Sequence, residues 1–142
     1  MGRFALVFVF GGLAGAAGMA AVHHDAETKI RPVATYQMVE KIDGQETTAS
    51  IVELTLDPGA AGEPHRHPGP VFGIILEGSY DWAIDEQPAK TLKPGEVFYE
   101  PTGVLHRVSR NPSKQEKARV MAIVLHSRDV HELAVPEKAK QE

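Results

Sequence analysis

The sequence predicts an all-β protein: one antiparallel β-barrel or jelly roll with short N- and C-terminal arms. Two observations carry this. From Ile30 onward, short runs rich in β-branched and aromatic residues recur at close spacing, separated by Gly, Pro, Asp and Asn. Within these runs apolar positions alternate with a period of two, and no helical period emerges before the last residues. Eight or so short strands at this spacing fill one closed or double-sheet architecture.

The elements follow in order. Residues 1–21 read as a secretory signal peptide: Arg3, an apolar run from Phe4 to Leu13, then the Gly/Ala stretch Ala14 to Ala21, with cuts expected after Ala16, Ala20 or Ala21. The alternative is an uncleaved membrane anchor, because Phe4 to Val22 is free of charge and just long enough to span a bilayer. Either route delivers the domain outside the cytoplasm, to the periplasm or the medium. A cut after Ala20 or Ala21 leaves His23 or His24 third from a free amine, a geometry that suits Cu(II) or Ni(II); the plainer reading is two solvated tail residues.

Residues 22–47 form an N-terminal arm and first strand, and residues 48–127 the barrel. In Ser50 to Leu56, Val52, Leu54 and Leu56 share one face, and Asp57-Pro58-Gly59 ends the run. Val71 to Leu76 turns at Glu77-Gly78 into Ser79 to Ile84, where Tyr80, Trp82 and Ile84 share a face. Lys93-Pro94-Gly95 precedes Val97-Phe98-Tyr99, and Val104 to Val108 and Arg119 to Leu125 complete the set. Arg119 to Leu125 is apolar on both faces, as in a buried sheet strand or a homodimer seam; the arm around Val33 to Met38 is a second candidate seam. Residues 128–142 form a charged tail, read as an arm with a frayed end.

A formal net charge of -4 without a basic stripe argues against a nucleic-acid partner. There is no cysteine, so disulfides, thiolate nucleophiles and cysteine-ligated zinc are excluded, and any metal must be held by His, Asp, Glu or water. Histidine is where the information concentrates. His65 and His67 stand at i and i+2, and the following prolines keep Glu63 and His67 out of the helical region. On an extended strand the two imidazoles point the same way and Arg66 the other. A second segment, Glu100-Pro101-Thr102-Gly103-Val104-Leu105-His106, ends on a third histidine. His126 and His131 read as structural or solvated, Glu63 as surface and Glu77 as rim. Phe72, Trp82, Phe98 and Tyr99 belong either to the core or to a pocket mouth.

These residues resemble the two motifs of the cupin superfamily, and within it a subgroup of small stand-alone quercetin-dioxygenase-like proteins. Gly59, His65, His67 and Gly78 fall in register with the first motif, and Gly95, Pro101, Gly103 and His106 with the second. The resemblance covers roughly residues 50 to 125. It implies a cupin barrel in which His65, His67 and His106 hold one divalent ion: Fe, Mn, Ni, Cu or Zn. There are two departures. The glutamate of the first motif is replaced by Val71, and the asparagine of the second falls on Arg110, with Asn111 one place late.

Without that glutamate three neutral imidazoles leave the ion its full charge and open positions. Glu100 is the one substitute: facing inward it is a fourth ligand, a catalytic base or a partner for an imidazole, and facing outward it pairs with Arg66 or Arg107. The implied function is a metal-dependent, dioxygenase-like oxidoreductase acting on a small enolisable or aromatic ligand. The alternatives are a non-catalytic module binding a small molecule or metal, and a metal-free interaction domain. A membrane association follows only if the leader stays uncleaved.

Overall fold

The computed structural model describes residues 26–138; the expected signal peptide and the His23–His24 pair lie outside them. Ten strands and no helix make up the described chain: β1 (Thr28–Ile42), β2 (Gln45–Leu56), β3 (His65–Arg66), β4 (Val71–Glu77), β5 (Tyr80–Ile84), β6 (Lys90–Leu92), β7 (Val97–Glu100), β8 (Leu105–Arg110), β9 (Ala118–Ser127) and β10 (Val135–Pro136). They form two five-stranded sheets, in the orders β1-β2-β9-β4-β7 and β10-β3-β8-β5-β6. Every pairing is antiparallel. The all-β jelly roll expected from the period-two pattern is the fold found.

Burial follows the pattern that predicts the strands. Along β9 buried and half-buried positions alternate without a break, so Ala118, Val120, Ala122 and Val124 face inward and Met121 and Ile123 outward. The core packs these against Leu56, Val71, Ile75, Tyr80, Trp82 and Phe98. The stretch apolar on both faces is therefore a central strand, flanked by β2 and β4. Its outward residues share an apolar groove with Phe72, Ile74, Val97 and Tyr99. The aromatic residues divide accordingly: Trp82 and Phe98 are buried, while Phe72 and Tyr99 stack on each other outside, with ring centroids 5.1 Å apart.

Two elements differ from the expected outline. β1 is a fifteen-residue strand paired with β2 nearly from end to end, although only four of its positions are even half-buried. Arg31 on β1 and Arg119 on β9 both reach Glu53 between them, at 2.5 Å and 2.8 Å, an ion pair across three strands. These two guanidiniums, bonded to it, hold the Glu53 carboxyl below its usual range. The C-terminal arm is docked: Val135 and Pro136 pair with Arg66 and His65.

Asn111 closes the Leu56–Gly59 turn against the loop after β8. Its side chain is buried, its amide N–H groups donate to the carbonyls of Leu56, Asp57 and Glu116, and its Oδ1 accepts from the Ser113 backbone N–H. Asn111→Ala would leave buried carbonyls without donors and is expected to cost about 2 kcal/mol of stability. A lower urea midpoint at unchanged denaturant slope is the measurement that checks it.

Candidate metal centre

The β3–β8 register places His65 directly opposite His106. His67 follows two residues after His65, so its ring returns to the same side. Gly103, at φ +73°, makes the sharp turn between β7 and β8: its N–H donates to the His67 carbonyl at 3.1 Å, and its carbonyl accepts from Arg66. The three histidines so assembled offer ring nitrogens that all lie within 4.8 Å of one another. Ring centroids are 4.7 Å apart for His65–His67 and 4.8 Å for His65–His106. Arg66 points outward, as the parity requires, and grips Glu137 through two bonds of 2.8 and 3.1 Å.

Hydrogen bonding fixes the tautomers. Nδ1 of His65 lies 2.7 Å from the Glu63 carbonyl, and Nδ1 of His67 lies 2.5 Å from the Leu133 carbonyl on the docked arm. A carbonyl only accepts, so both Nδ1 atoms carry the proton, and each ring in its neutral form turns a bare Nε2 lone pair toward the site. Those two Nε2 atoms stand 3.1 Å apart. Two lone pairs at that distance repel unless a shared proton or a metal ion sits between or beside them.

Glu100 faces inward and is 1% exposed, which settles its orientation. It stands directly opposite Val71 across the β4–β7 pair. The side chain that replaces the first-motif glutamate thus neighbours an acid supplied by the next strand. The Trp82 indole N–H donates to Glu100 Oε1 at 2.9 Å. Oε1 also lies 3.2 Å from His106 Nδ1, and Oε2 lies 3.5 Å from His67 Nε2, neither in hydrogen-bond geometry. Burial pushes the Glu100 carboxyl up to about 7, against the opposing pull of the Trp82 bond. Burial, reinforced by the cost of gathering positive charge beside the His65 and His67 imidazoles, drops His106 to about 3; desolvation lowers His67 as well. Despite their contact, Glu100 and His106 are therefore not an ion pair, because the same burial disfavours charge on both.

Buried polar atoms without a hydrogen bond are few among the described residues. Three of the four sit here: Glu100 Oε2 and both ring nitrogens of His106. The fourth, Thr28 Oγ1, belongs to a residue lining the adjoining chamber of about 310 Å³. The other titratable candidates stay apart. His126 is held by the Ser50 hydroxyl at 2.9 Å, His131 is exposed, Glu63 is exposed at the edge of the chamber, and Glu77 is at the rim beside Arg119. Sequence reasoning did not foresee Trp82 as the partner of Glu100, or the Leu133 carbonyl as the partner of His67. The indole spacing carried no signal for the first, and the second is a contact across 66 residues.

The cupin domain model matches residues 52–124, half of the chain. Germin-like protein subfamily 2 member 4 of Arabidopsis thaliana is 37% identical over 90 residues, covering 59% of this chain and 40% of that protein. Subfamily 2 member 2 is 34% identical over 79 residues, or 51% and 36%. The chain thus spans about two fifths of the length of these relatives. Among solved structures, a Klebsiella pneumoniae protein with a double-stranded β-helix domain superposes with a TM-score of 0.60 at 18% identity, covering 79% and 86% of the two chains. Oxalate oxidase in complex with glycolate superposes at 0.53 and 22% identity, covering 62% and 45%. These likenesses speak to the fold. With the two motifs in register, the jelly roll observed and the domain model spanning both, the chain belongs to the cupin family.

Proposed function

We propose that this cupin holds one divalent ion through His65, His67 and His106, with Glu100 as the carboxylate of the set, and works outside the cytoplasm as a dioxygenase-like oxidoreductase on a small enolisable or aromatic compound. The observation that carries the metal is the facing pair of Nε2 lone pairs at 3.1 Å, each locked by a carbonyl behind it. Metal-bound histidines characteristically donate their other ring N–H in this way. The orphaned nitrogens of His106 and Oε2 of Glu100 fit the same donor set of nitrogen and oxygen, which suits Fe, Mn, Ni, Cu and Zn. When bound, such an ion acts as a Lewis acid that stabilises an enolate oxygen and, if redox-active, supports reaction with dioxygen. The chain's own part is to exclude water, fix the imidazoles, and keep Glu100 within reach of a ligand proton. Trp82 positions Glu100 through Oε1 and leaves Oε2 for that task.

Elemental analysis of protein purified from its native compartment tests the metal; oxygen consumption over a panel of enolisable and catechol-type compounds tests the reaction. A chain without stoichiometric metal would overturn both. The ionisation of Glu100 adds a measurable signature. Below pH 7 its carboxyl holds a proton that an ion must displace, so affinity should rise with pH and level off above about 7. Glu100→Gln should bind more weakly and show a slope shallower by about one proton per ion, read from competition with a chelator between pH 5.5 and 8.

A further inference from the structure

The chamber beside the histidines is chemically one-sided. Val52 and Leu54 of β2, Val120 and Val124 of β9, and Phe98 form its walls. No Lys, Arg, Asn or Gln side chain lines it, and its carboxylates are Glu63 and Glu100. The hydroxyls of Tyr80 and Ser109 bond to each other at 2.8 Å. A compact dianion would therefore meet, beyond an ion at the histidines, no cation on these walls, one unpaired hydroxyl at Thr28, and two acids. An apolar body would meet a wall that water solvates poorly.

The chamber is also long. Val124 lies opposite Val71, the neighbour of Glu100, and so marks the level of the histidines. Val120 is four residues further along β9, paired with Leu54, which in turn pairs with Ile30 of β1. That step along the strand is roughly 13 Å. Ile30 lines the chamber while 65% exposed, which places an opening at the β1 edge.

We infer that this site takes an uncharged, elongated, largely apolar molecule that presents a pair of oxygens to the ion and lays its hydrocarbon body along Val52, Leu54 and Val120 toward Ile30, and that it discriminates against small dicarboxylates such as oxalate. This deepens the proposed function and rests on its metal site. It also separates this chain from the oxalate oxidases that share its fold.

The test uses full-length protein loaded with Zn(II), which is redox-silent, and titration calorimetry with alkane-2,4-diones from pentane to undecane, and with oxalate. Zinc content is measured before and after each titration. Affinity should climb about two- to fourfold per added methylene, as burial of a chain in an apolar channel requires, with oxalate weaker than the longest diones by at least about a hundredfold. Leu54→Arg should weaken the undecanedione at least about tenfold, since a charge then stands in the channel, and leave pentanedione and zinc content nearly unchanged. A flat series on zinc-loaded protein, or oxalate tighter than the long diones, overturns the inference and leaves the metal site standing. A chain that takes up no zinc overturns the metal site and the inference with it. If Leu54→Arg does not fold, the wild-type series still decides.

Discussion

His106→Ala is expected to reduce metal affinity by at least about a hundredfold while leaving the metal-free chain folded. The ring is 4% exposed and supplies a donor from a different strand than the other two histidines, so no neighbouring side chain can replace it. Its removal should do little to the metal-free fold for a specific reason. Truncating a buried ring leaves a cavity, which destabilises. The same truncation removes two buried nitrogens that have no hydrogen bond, and each such atom costs about 1–3 kcal/mol in place. The two effects oppose, and the melting temperature of chelator-treated variant and wild type should agree to within a few degrees. The wild type alone should then gain stability on adding metal, because an ion that binds only the folded state stabilises it by mass action. His131→Ala, in the exposed loop, is the matched control and should retain the ion. A variant that keeps stoichiometric metal would remove His106 from the ligand set.

The other large effect concerns Gly69, between Pro68 and Pro70. A Cβ at this position would stand 1.7 Å from the Leu125 carbonyl oxygen and 2.8 Å from its carbon. The obstacle is backbone on the central strand β9, so no side-chain rotation relieves it. The segment is pinned on both sides: Leu125 N–H donates to the Pro70 carbonyl at 3.0 Å, and the His67 carbonyl accepts from Gly103. Gly69→Ala should therefore destabilise the domain by about 3 kcal/mol, the upper part of the range for overpacking, or prevent folding. A drop in melting temperature of about 10 °C checks it, with Gly44→Ala for contrast. Gly44 adopts a positive φ of +73°, a strain Gly69 does not carry, but an added Cβ there meets nothing within 4 Å, so its loss should be much the smaller. Whatever folded Gly69→Ala survives should bind metal poorly, because the displaced segment begins at His67.

What was legible in the sequence was local. The i, i+2 histidines, the flanking prolines and the turn glycines each act within a few residues, and they led to the strands around His65 and His106. The period-two alternation marked β2, whose one face is buried in the core, whereas β4 and β9 read as continuous apolar runs because their outer faces line the apolar groove. β1 was harder to read: as an edge strand with most of its side chains in solvent, it carries no alternation, and only its pairing with β2 reveals its length. The orientation of Glu100 was undecided for a related reason. Val97, Phe98, Tyr99 and Glu100 put aromatic or aliphatic residues on both faces of β7, so hydrophobicity does not say which face is inside. The outer apolar groove with Phe72 and Ile74 is what blurs it. The pairing of Pro136 with His65 joins residues far apart in the chain, and no local rule anticipates it.

The Val71–Glu100 pair bears on how such proteins are compared. Side chains directly opposite on neighbouring antiparallel strands point into the same space with Cβ atoms only about 5 Å apart, so an acid can be lost from one strand and retained at nearly the same spot by another. A search that reads one dimension, position after position, scores this chain as lacking an acid. A search that reads the sheet as a surface finds the carboxylate one strand to the side. Descriptors of side-chain clusters in β-barrels should accordingly be written as coordinates on a lattice of strands, where sequence neighbours and cross-strand neighbours count alike.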